Sequence, residues 1–136
     1  MSDKEEFVMI RLIASDLDGT LLKNGAQALS PEVFELLPAL RKKGIHFVAA
    51  SGRQYANIRR LFAPLQDEIS YVAENGSLCM HEGKMVASGQ IDRDLANEII
   101  LEARRQPDCS LLYSSPEKCY VEKGNDRLYD HIKNHV

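Results

Sequence analysis

The sequence predicts an α/β fold built on an open parallel sheet, because three apolar strands alternate with two helices. The strand patterns are short apolar runs at residues 9–15, 45–51 and 70–75. A helical pattern occupies each of the two intervals between them. Since crossovers of this length join parallel strands through right-handed connections, we expect the first half of the chain to form one doubly wound parallel sheet.

The first helix has recognisable start and stop residues. Ser30 suits the N-cap, Pro31 suits the first helical position, and Gly44 suits the C-terminal stop. Four apolar residues at helical spacing predict its buried stripe: Val33, Leu36, Leu37 and Leu40. A second helix is expected over residues 53–65 and should end near Pro64.

The second half of the chain predicts local α+β structure. Its predicted elements are a hairpin over 77–89, a helix over 92–107, a second hairpin joining 109–115 to 118–123, and a helix over 125–136. We therefore expect two units: residues 1–90 as an α/β core portion, and residues 91–136 as the start of an α+β domain.

Composition excludes several classes of function. The chain has 136 residues, a formal net charge of −3 and a pI near 5.8, so no basic surface indicates nucleic-acid binding. Residues 1–7 lack the basic and apolar regions of a signal peptide, and no apolar run is long enough to span a membrane. Three cysteines without CxxC spacing indicate reduced thiols, so the expected compartment is the cytoplasm.

Polar residues and glycines follow each predicted strand at the point where it ends. In an open parallel sheet, ligands bind outside the carboxyl ends of the strands, so these residues are expected to share one crevice. The candidate site residues are Asp16, Asp18 and Thr20 after the first strand, Ser51, Gly52 and Arg53 after the second, and Asn75 after the third.

The residue types in this crevice suit phosphoryl transfer. Gly19 permits a turn that brings the Asp18 carboxylate back over the strand end, so one aspartate can attack while the other handles protons. Attack by a carboxylate on a phosphate requires charge relief, which a hard cation such as Mg²⁺ supplies through oxygen ligands. The hydroxyls of Thr20 and Ser51 can hold the equatorial phosphate oxygens.

The motifs "SDLDGTLL", "VAASGR" and "VAENGS" resemble those of the haloacid dehalogenase superfamily, and among them the Cof-type phosphatases. The resemblance covers residues 9 to about 80 well. It implies a Rossmann-like core interrupted by an α+β cap, in which residues from about 91 begin the cap. The implied function is a Mg²⁺-dependent phosphatase that acts on small phosphorylated metabolites of the sugar-phosphate type.

The same resemblance implies residue roles. Asp16 would be the nucleophile and a Mg²⁺ ligand. Asp18 would be the general acid and then the general base, and its backbone carbonyl would also bind Mg²⁺. Phosphate would be bound by the Ser51 hydroxyl and the Gly52 amide, and the remaining matches, Arg53 and Asn75, would contact substrate.

Two further motifs of the family have no clear counterpart here. Asp126 and Asp130 lie one helical turn apart, but the start of a solvated helix is the more ordinary explanation. Lys84 lies in a predicted turn, where an exposed charge is expected. We therefore expect the chain to be the N-terminal portion of a phosphatase that is inactive alone.

An incomplete sheet would expose its first strand. The apolar residues Leu12, Ile13 and Ala14 are then expected along an open edge, which would leave the chain marginally stable or cause self-association.

Two other functions fit the same residues. A phosphomutase of the same superfamily would return the phosphoryl group to its substrate. A non-catalytic module would keep the crevice only for phosphate recognition, or use the sheet edge for a partner. A P-loop nucleotide site is excluded because the chain has no GxxxxGK[ST] sequence.

Overall fold

The computed structural model describes residues 9–124 and 126–135, and in this part of the chain it contains two sheets and four α-helices. In chain order the elements are β1 (Leu12–Asp16), α1 (Pro31–Lys42), β2 (His46–Ala50), α2 (Tyr55–Leu61), β3 (Ser70–Ala73), β4 (Leu78–His81), β5 (Lys84–Ser88), α3 (Arg93–Arg105), β6 (Leu112–Ser114), β7 (Cys119–Val121) and α4 (Asp126–His135). Residues 1–8, 125 and 136 lie outside the described residues, so the two ends of the helix predicted over 125–136 do as well.

The larger sheet has the strand order β1-β2-β3-β4-β5. β1, β2 and β3 are parallel, and Asp16, Ala50 and Val72 lie side by side at their carboxyl ends. β4 and β5 continue the sheet in antiparallel pairing, so the first predicted hairpin extends the sheet. The predicted α/β class is confirmed, with a mixed sheet of parallel and antiparallel strands.

The hydrophobic core lies between one face of this sheet and the helices α1 and α2. Phe62 is fully buried beside α2, and its ring contacts those of Phe47 on β2 and Tyr71 on β3. Leu37 of α1 and Ile58 of α2 belong to the same cluster, so both crossover helices pack against the same face. Burial raises the pKa of the Tyr71 hydroxyl, which donates a hydrogen bond to the Gln66 carbonyl.

Three element boundaries differ from the sequence prediction, and each difference has a local cause. β1 begins at Leu12 because pairing with β2 begins at His46. β3 ends at Ala73 because Glu74 and Asn75 adopt positive φ angles of 52° and 57°, which end the extended strand. α2 begins two residues later than predicted because residue 54 is still extended.

Two predicted apolar surfaces are only partly correct. Leu36 is 56% exposed because the packed face of α1 is centred on Val33, Leu37 and Leu40. On β1, Leu12 and Ala14 are exposed as expected, whereas Ile13 packs against the core. Since side chains alternate along a strand, only one side of β1 meets the helices.

The second half forms the predicted local elements. Positive φ angles at Glu82 and Gly83 close the tight turn of the first hairpin. Asp92 caps α3 by accepting hydrogen bonds from two backbone amides of its first turn. α4 begins at Asp126, whose side chain lies outside the described part of the chain, and Asp130 on the same helix is exposed.

Replacing Phe62 with alanine should lower the free energy of unfolding by about 3–5 kcal/mol, because a fully buried ring leaves a cavity among Phe47 and Tyr71. Urea denaturation followed by circular dichroism would measure the loss. The matched control is Leu36→Ala at an exposed position, which should change stability by less than about 0.5 kcal/mol. Equal losses in the two variants would contradict this description of the core.

Candidate active site

A tight turn follows β1 and positions its two aspartates differently. Gly19 has a φ of 84°, and its amide donates to the Leu22 carbonyl, while the Leu22 amide donates to the Leu17 carbonyl. Leu17 and Leu22 are buried and anchor the turn in the core. Asp18 therefore lies at the exposed tip of a closed turn, where only a glycine readily adopts the backbone of the next residue.

Asp16 ends β1 and lies next to the turn. Its Oδ2 atom accepts a long hydrogen bond of 3.4 Å from the Thr20 hydroxyl. The carboxylate is exposed, so most of its lone pairs remain available to a ligand.

The loops after β2 and β3 are joined by backbone hydrogen bonds. The Ser51 amide donates to the Val72 carbonyl at 2.9 Å, and the Glu74 amide donates to the Arg53 carbonyl at 3.0 Å. The Asn75 amide donates to the Ser51 carbonyl at 3.4 Å. These bonds hold Ser51 and Asn75 side by side at the carboxyl end of the sheet.

Gly52 permits this close approach because it lacks a side chain. A Cβ atom added at Gly52 would lie 2.8 Å from Asn75 Oδ1, which is closer than van der Waals contact. The two loops can therefore pack in this way only when residue 52 is glycine or when the Asn75 side chain moves.

Arg53 and Asp18 form a bidentate ion pair across the site. Arg53 Nε donates to Asp18 Oδ2 at 2.9 Å, and Arg53 Nη2 donates to Asp18 Oδ1 at 2.7 Å. The two side chains are 30% and 55% exposed, and pairs this accessible contribute only about 0.2–1 kcal/mol. The pair orients Asp18, and a stronger ligand for the guanidinium can open it at little cost.

A cleft of about 510 Å³ lies between these loops and the smaller sheet. The ends of the parallel strands form one wall, and β6, β7 and α4 form the other. The lining residues are Asp18, Ser51, Gly52, Arg53, Gln54, Asn57, Glu74, Asn75, Ser77, Leu112, Ser114, Cys119 and Ile132.

Five of the seven predicted site residues line this cleft: Asp18, Ser51, Gly52, Arg53 and Asn75. Asp16 and Thr20 pair with each other beside it and are not among its lining residues. The sequence prediction missed Gln54, Ser114 and Cys119. Gln54 directly follows the predicted Ser-Gly-Arg loop and was the one that local sequence could have indicated, whereas the other two come from a hairpin about 60 positions later.

The donor set near Asp16 is chemically suited to Mg²⁺, since it consists of oxygen atoms. The Asp16 carboxylate is available, and the Asp18 backbone carbonyl could add a second oxygen ligand, whereas the Asp18 carboxylate is held by Arg53. Among the described residues, no group of three or more His, Cys, Asp or Glu side chains could hold a metal ion. These residues therefore fit part of a magnesium site and would leave positions for water and phosphate oxygens.

A second polar cluster lies at the opposite end of the sheet. The Ser70 hydroxyl forms hydrogen bonds of 2.7 Å with His46 Nε2 and with His81 Nδ1, and the two rings are 5.1 Å apart. Because these residues lie on β2, β3 and β4, the cluster joins three neighbouring strands.

Comparison with known proteins identifies relatives of this chain. The sequence profile of the haloacid dehalogenase-like hydrolases matches residues 13–136. The chain is 31% identical over 117 residues to the 5-amino-6-(5-phospho-D-ribitylamino)uracil phosphatase YbjI of Escherichia coli K12. That alignment covers 86% of this chain and 43% of YbjI.

Solved structures share the fold. A crystal structure of a protein from Eubacterium rectale superposes with a TM-score of 0.83 at 30% identity, over 92% of this chain and 48% of that one. A haloacid dehalogenase-like hydrolase from B. subtilis superposes with a TM-score of 0.71 at 26% identity, over 90% of this chain and 42% of that one. This chain spans less than half the length of each of these relatives, and its sheet matches their Rossmann-like core.

The contact between Gly52 and Asn75 predicts a measurable coupling. Gly52→Ala should destabilise the protein by about 1 kcal/mol, because the new methyl group displaces Asn75 Oδ1. In the Gly52→Ala/Asn75→Ala double variant, the loss should be smaller than the sum of the single losses by about 0.5–1 kcal/mol. Urea denaturation of the four proteins tests the coupling, and strictly additive losses would contradict the described packing.

Proposed function

The chain belongs to the haloacid dehalogenase-like hydrolases, and we propose that its protein is a Cof-type, Mg²⁺-dependent phosphatase that acts on small sugar-phosphate-type esters. The observation that carries this proposal is the meeting of Asp18, Ser51, Arg53 and Asn75 around one cleft, with Asp16 beside it. The name of the relative YbjI, a phosphatase of a phosphorylated ribityl compound, agrees with this substrate class.

Asp16 is the better nucleophile of the two aspartates. Both oxygens of Asp18 accept hydrogen bonds from Arg53, which lowers their ability to attack phosphorus. Asp16 accepts one long bond from Thr20, so its other lone pairs are free for attack. The attack would form an aspartyl phosphate on Asp16 and release the alcohol, and water would hydrolyse the aspartyl phosphate in a second displacement.

Asp18 would move protons in both displacements. It would donate a proton to the leaving alcohol, and would then accept one from the attacking water. Because its exposed pair with Arg53 is weak, an arriving phosphate dianion can compete for the guanidinium and free the Asp18 carboxylate.

The loop residues would hold the phosphate. The Ser51 hydroxyl and the Gly52 amide would supply neutral donors, and Asn75 and Arg53 would contact the substrate, since all four residues line the cleft. The Thr20 hydroxyl, which now donates to Asp16, would supply a further donor beside the cleft. Bound Mg²⁺ would supply charge neutralisation, and the Asp16 carboxylate and the Asp18 carbonyl are the groups that would hold it.

A non-catalytic phosphate-binding module is the second candidate. One observation favours it: among the described residues, no group of three or more His, Cys, Asp or Glu side chains could hold a metal ion. Such a module would use the same cleft and would bind phosphate without turnover.

The arrangement of units and the compartment also belong to this proposal. We propose residues 1–90 as a core portion and residues 91–136 as the beginning of a cap, because the larger sheet ends with β5 at Ser88. None of the helices in the described residues is long and apolar enough to span a membrane. The free thiols of Cys79, Cys109 and Cys119 support a reducing compartment, for which we propose the cytoplasm.

In the whole protein to which this chain belongs, Asp16→Asn should lower p-nitrophenyl phosphate hydrolysis in Mg²⁺ by roughly 10³-fold or more, because the nucleophile is lost. Asp18→Asn should still be phosphorylated on Asp16, since p-nitrophenolate leaves without needing a proton. Hydrolysis of the aspartyl phosphate should slow, because the general base for the attacking water is lost. Intact-mass spectrometry should then detect one added phosphoryl group in Asp18→Asn and none in Asp16→Asn.

The control for these substitutions is Asp92→Asn, because asparagine caps a helix about as well as aspartate. It should keep the wild-type rate. Phosphate binding without any p-nitrophenol release by the whole wild-type protein would instead support the non-catalytic module, whereas an inactive 136-residue chain alone fits either function.

The outer edge of β1 is expected to cause self-association. Leu12 is 56% exposed and β1 has a strand partner on one side among the described residues, so the other side offers unpaired backbone groups. Sedimentation velocity should show a concentration-dependent dimer that Leu12→Lys abolishes, while Leu36→Lys on α1 leaves it unchanged. A wild-type protein that stays monomeric at high concentration would contradict this expectation.

A further inference from the structure

Gln54 has an unusual position in the cleft. It occupies the N-cap position of α2, where its carbonyl accepts hydrogen bonds from the Asn57 and Ile58 amides at 3.0 Å and 3.1 Å. Its backbone is therefore fixed to the first turn of the helix. Its side chain makes no capping bond and extends across the cleft instead.

The partners of Gln54 lie on the facing wall. Its Nε2 atom donates a hydrogen bond of 3.1 Å to the Ser114 hydroxyl and also contacts Cys119 Sγ. Ser114 and Cys119 are directly opposite each other on β6 and β7, so they present one face of the hairpin to Gln54. Tyr113 and Tyr120 form the next pair and therefore lie on the other face.

Other polar groups of the cleft bond within their own wall. The Ser77 hydroxyl donates to the Glu74 carbonyl, and Ser51 Oγ accepts from the Arg53 amide. The Asn57 side chain accepts a bond from Arg60 on the same helix. Gln54 differs because its partner, Ser114, belongs to the facing hairpin. A ligand that enters the cleft therefore passes between Gln54 and Ser114.

The charge of the cleft indicates which ligand group could replace Ser114. Asp18 and Glu74 line the cleft, and the cationic lining residue Arg53 is already paired with Asp18. A second anionic group on the ligand would be repelled by these carboxylates. A ligand hydroxyl is neutral and accepts from the amide as the Ser114 hydroxyl does, so the exchange conserves the hydrogen bond.

The distance also fits a small ester. Gln54 lies two residues after Gly52, and consecutive Cα atoms are about 3.8 Å apart, so its Cα lies within about 8 Å of that of Gly52. A phosphate on the Ser51–Gly52 loop and the Gln54 side chain would thus lie in the same part of the cleft, within the span of a small ester.

We propose that Gln54 is a specificity-determining residue, whose carboxamide exchanges the Ser114 hydroxyl for a hydroxyl on the first carbons of a neutral phosphate monoester. This role rests on the proposed phosphate-binding function of the same cleft. The favoured substrates would be phosphorylated polyols, and esters that carry a carboxylate at this position would be disfavoured.

Three esters with a three-carbon chain test the proposal: propyl phosphate, glycerol 3-phosphate and 3-phosphoglycerate. Calorimetric titration would use the Asp16→Asn background with Mg²⁺, in which the proposed phosphoryl transfer is blocked. Glycerol 3-phosphate should bind about tenfold more tightly than propyl phosphate, because propyl phosphate breaks the Gln54–Ser114 hydrogen bond without replacing it. 3-Phosphoglycerate should bind more weakly than glycerol 3-phosphate.

Substitutions then assign the preference to Gln54. Gln54→Leu should bind propyl phosphate at least as tightly as the parent, because no hydrogen bond is broken, and should lose the preference for glycerol 3-phosphate. Ser114→Ala should bind glycerol 3-phosphate more tightly, because the competing hydroxyl is gone. The control Gln66→Leu, outside the cleft, should keep the full preference. In NMR spectra, glycerol 3-phosphate should shift the Gln54 side-chain amide signals of the parent protein.

The contrary outcomes distinguish failure of the proposed phosphate-binding function from failure of the proposed role of Gln54. If the parent protein binds neither propyl phosphate nor inorganic phosphate, the proposed function fails and the role of Gln54 fails with it. If propyl phosphate binds but glycerol 3-phosphate has no advantage, or the advantage survives in Gln54→Leu, the role of Gln54 is overturned while the proposed function stands.

Discussion

The register of three parallel strands is the constraint on which the rest of this site depends. Asp16, Ala50 and Val72 lie side by side, so the chain leaves the sheet at the same level in all three strands. The ladder continues one step beyond β2, where the Ser51 amide donates to Val72. A shift of one residue in any strand would send its alternating side chains to the opposite face and separate the loops.

Electrostatics pose the main difficulty for a phosphate in this cleft. Asp16, Asp18 and Glu74 carry negative charge near the loop proposed to bind a dianion, and Arg53 offsets part of it. Donors that carry no formal charge, such as the Gly52 amide and the Ser51 hydroxyl, attract phosphate without requiring a counter-ion. Gly52 is exposed and lines the cleft while it packs closely against Asn75. A divalent cation would neutralise the remaining negative charge, which is why magnesium belongs to the proposed function.

The two walls of the cleft come from parts of the chain that are distant in sequence. One wall follows from the parallel strands, and the other follows from the β6–β7 hairpin and α4. The hydrogen bond between Gln54 and Ser114 connects positions 60 residues apart. The hairpin contributes neutral groups to the cleft, and the loops contribute charged ones. We therefore expect the loops to bind the phosphate and the hairpin side to contact the remainder of the ester.

The sequence by itself determined the fold class, the order of the elements and the group of polar residues at the strand ends. Apolar runs and helical spacing are local properties, and parallel strands necessarily bring their carboxyl ends together. Only the tertiary structure decided that Asp18 pairs with Arg53 while Asp16 remains available, and that Gln54 meets Ser114 across the cleft. It also decided that Leu36 lies outside the packed face of α1. These outcomes depend on which side chains approach through space, and the spacing of residues along the chain does not encode those distances.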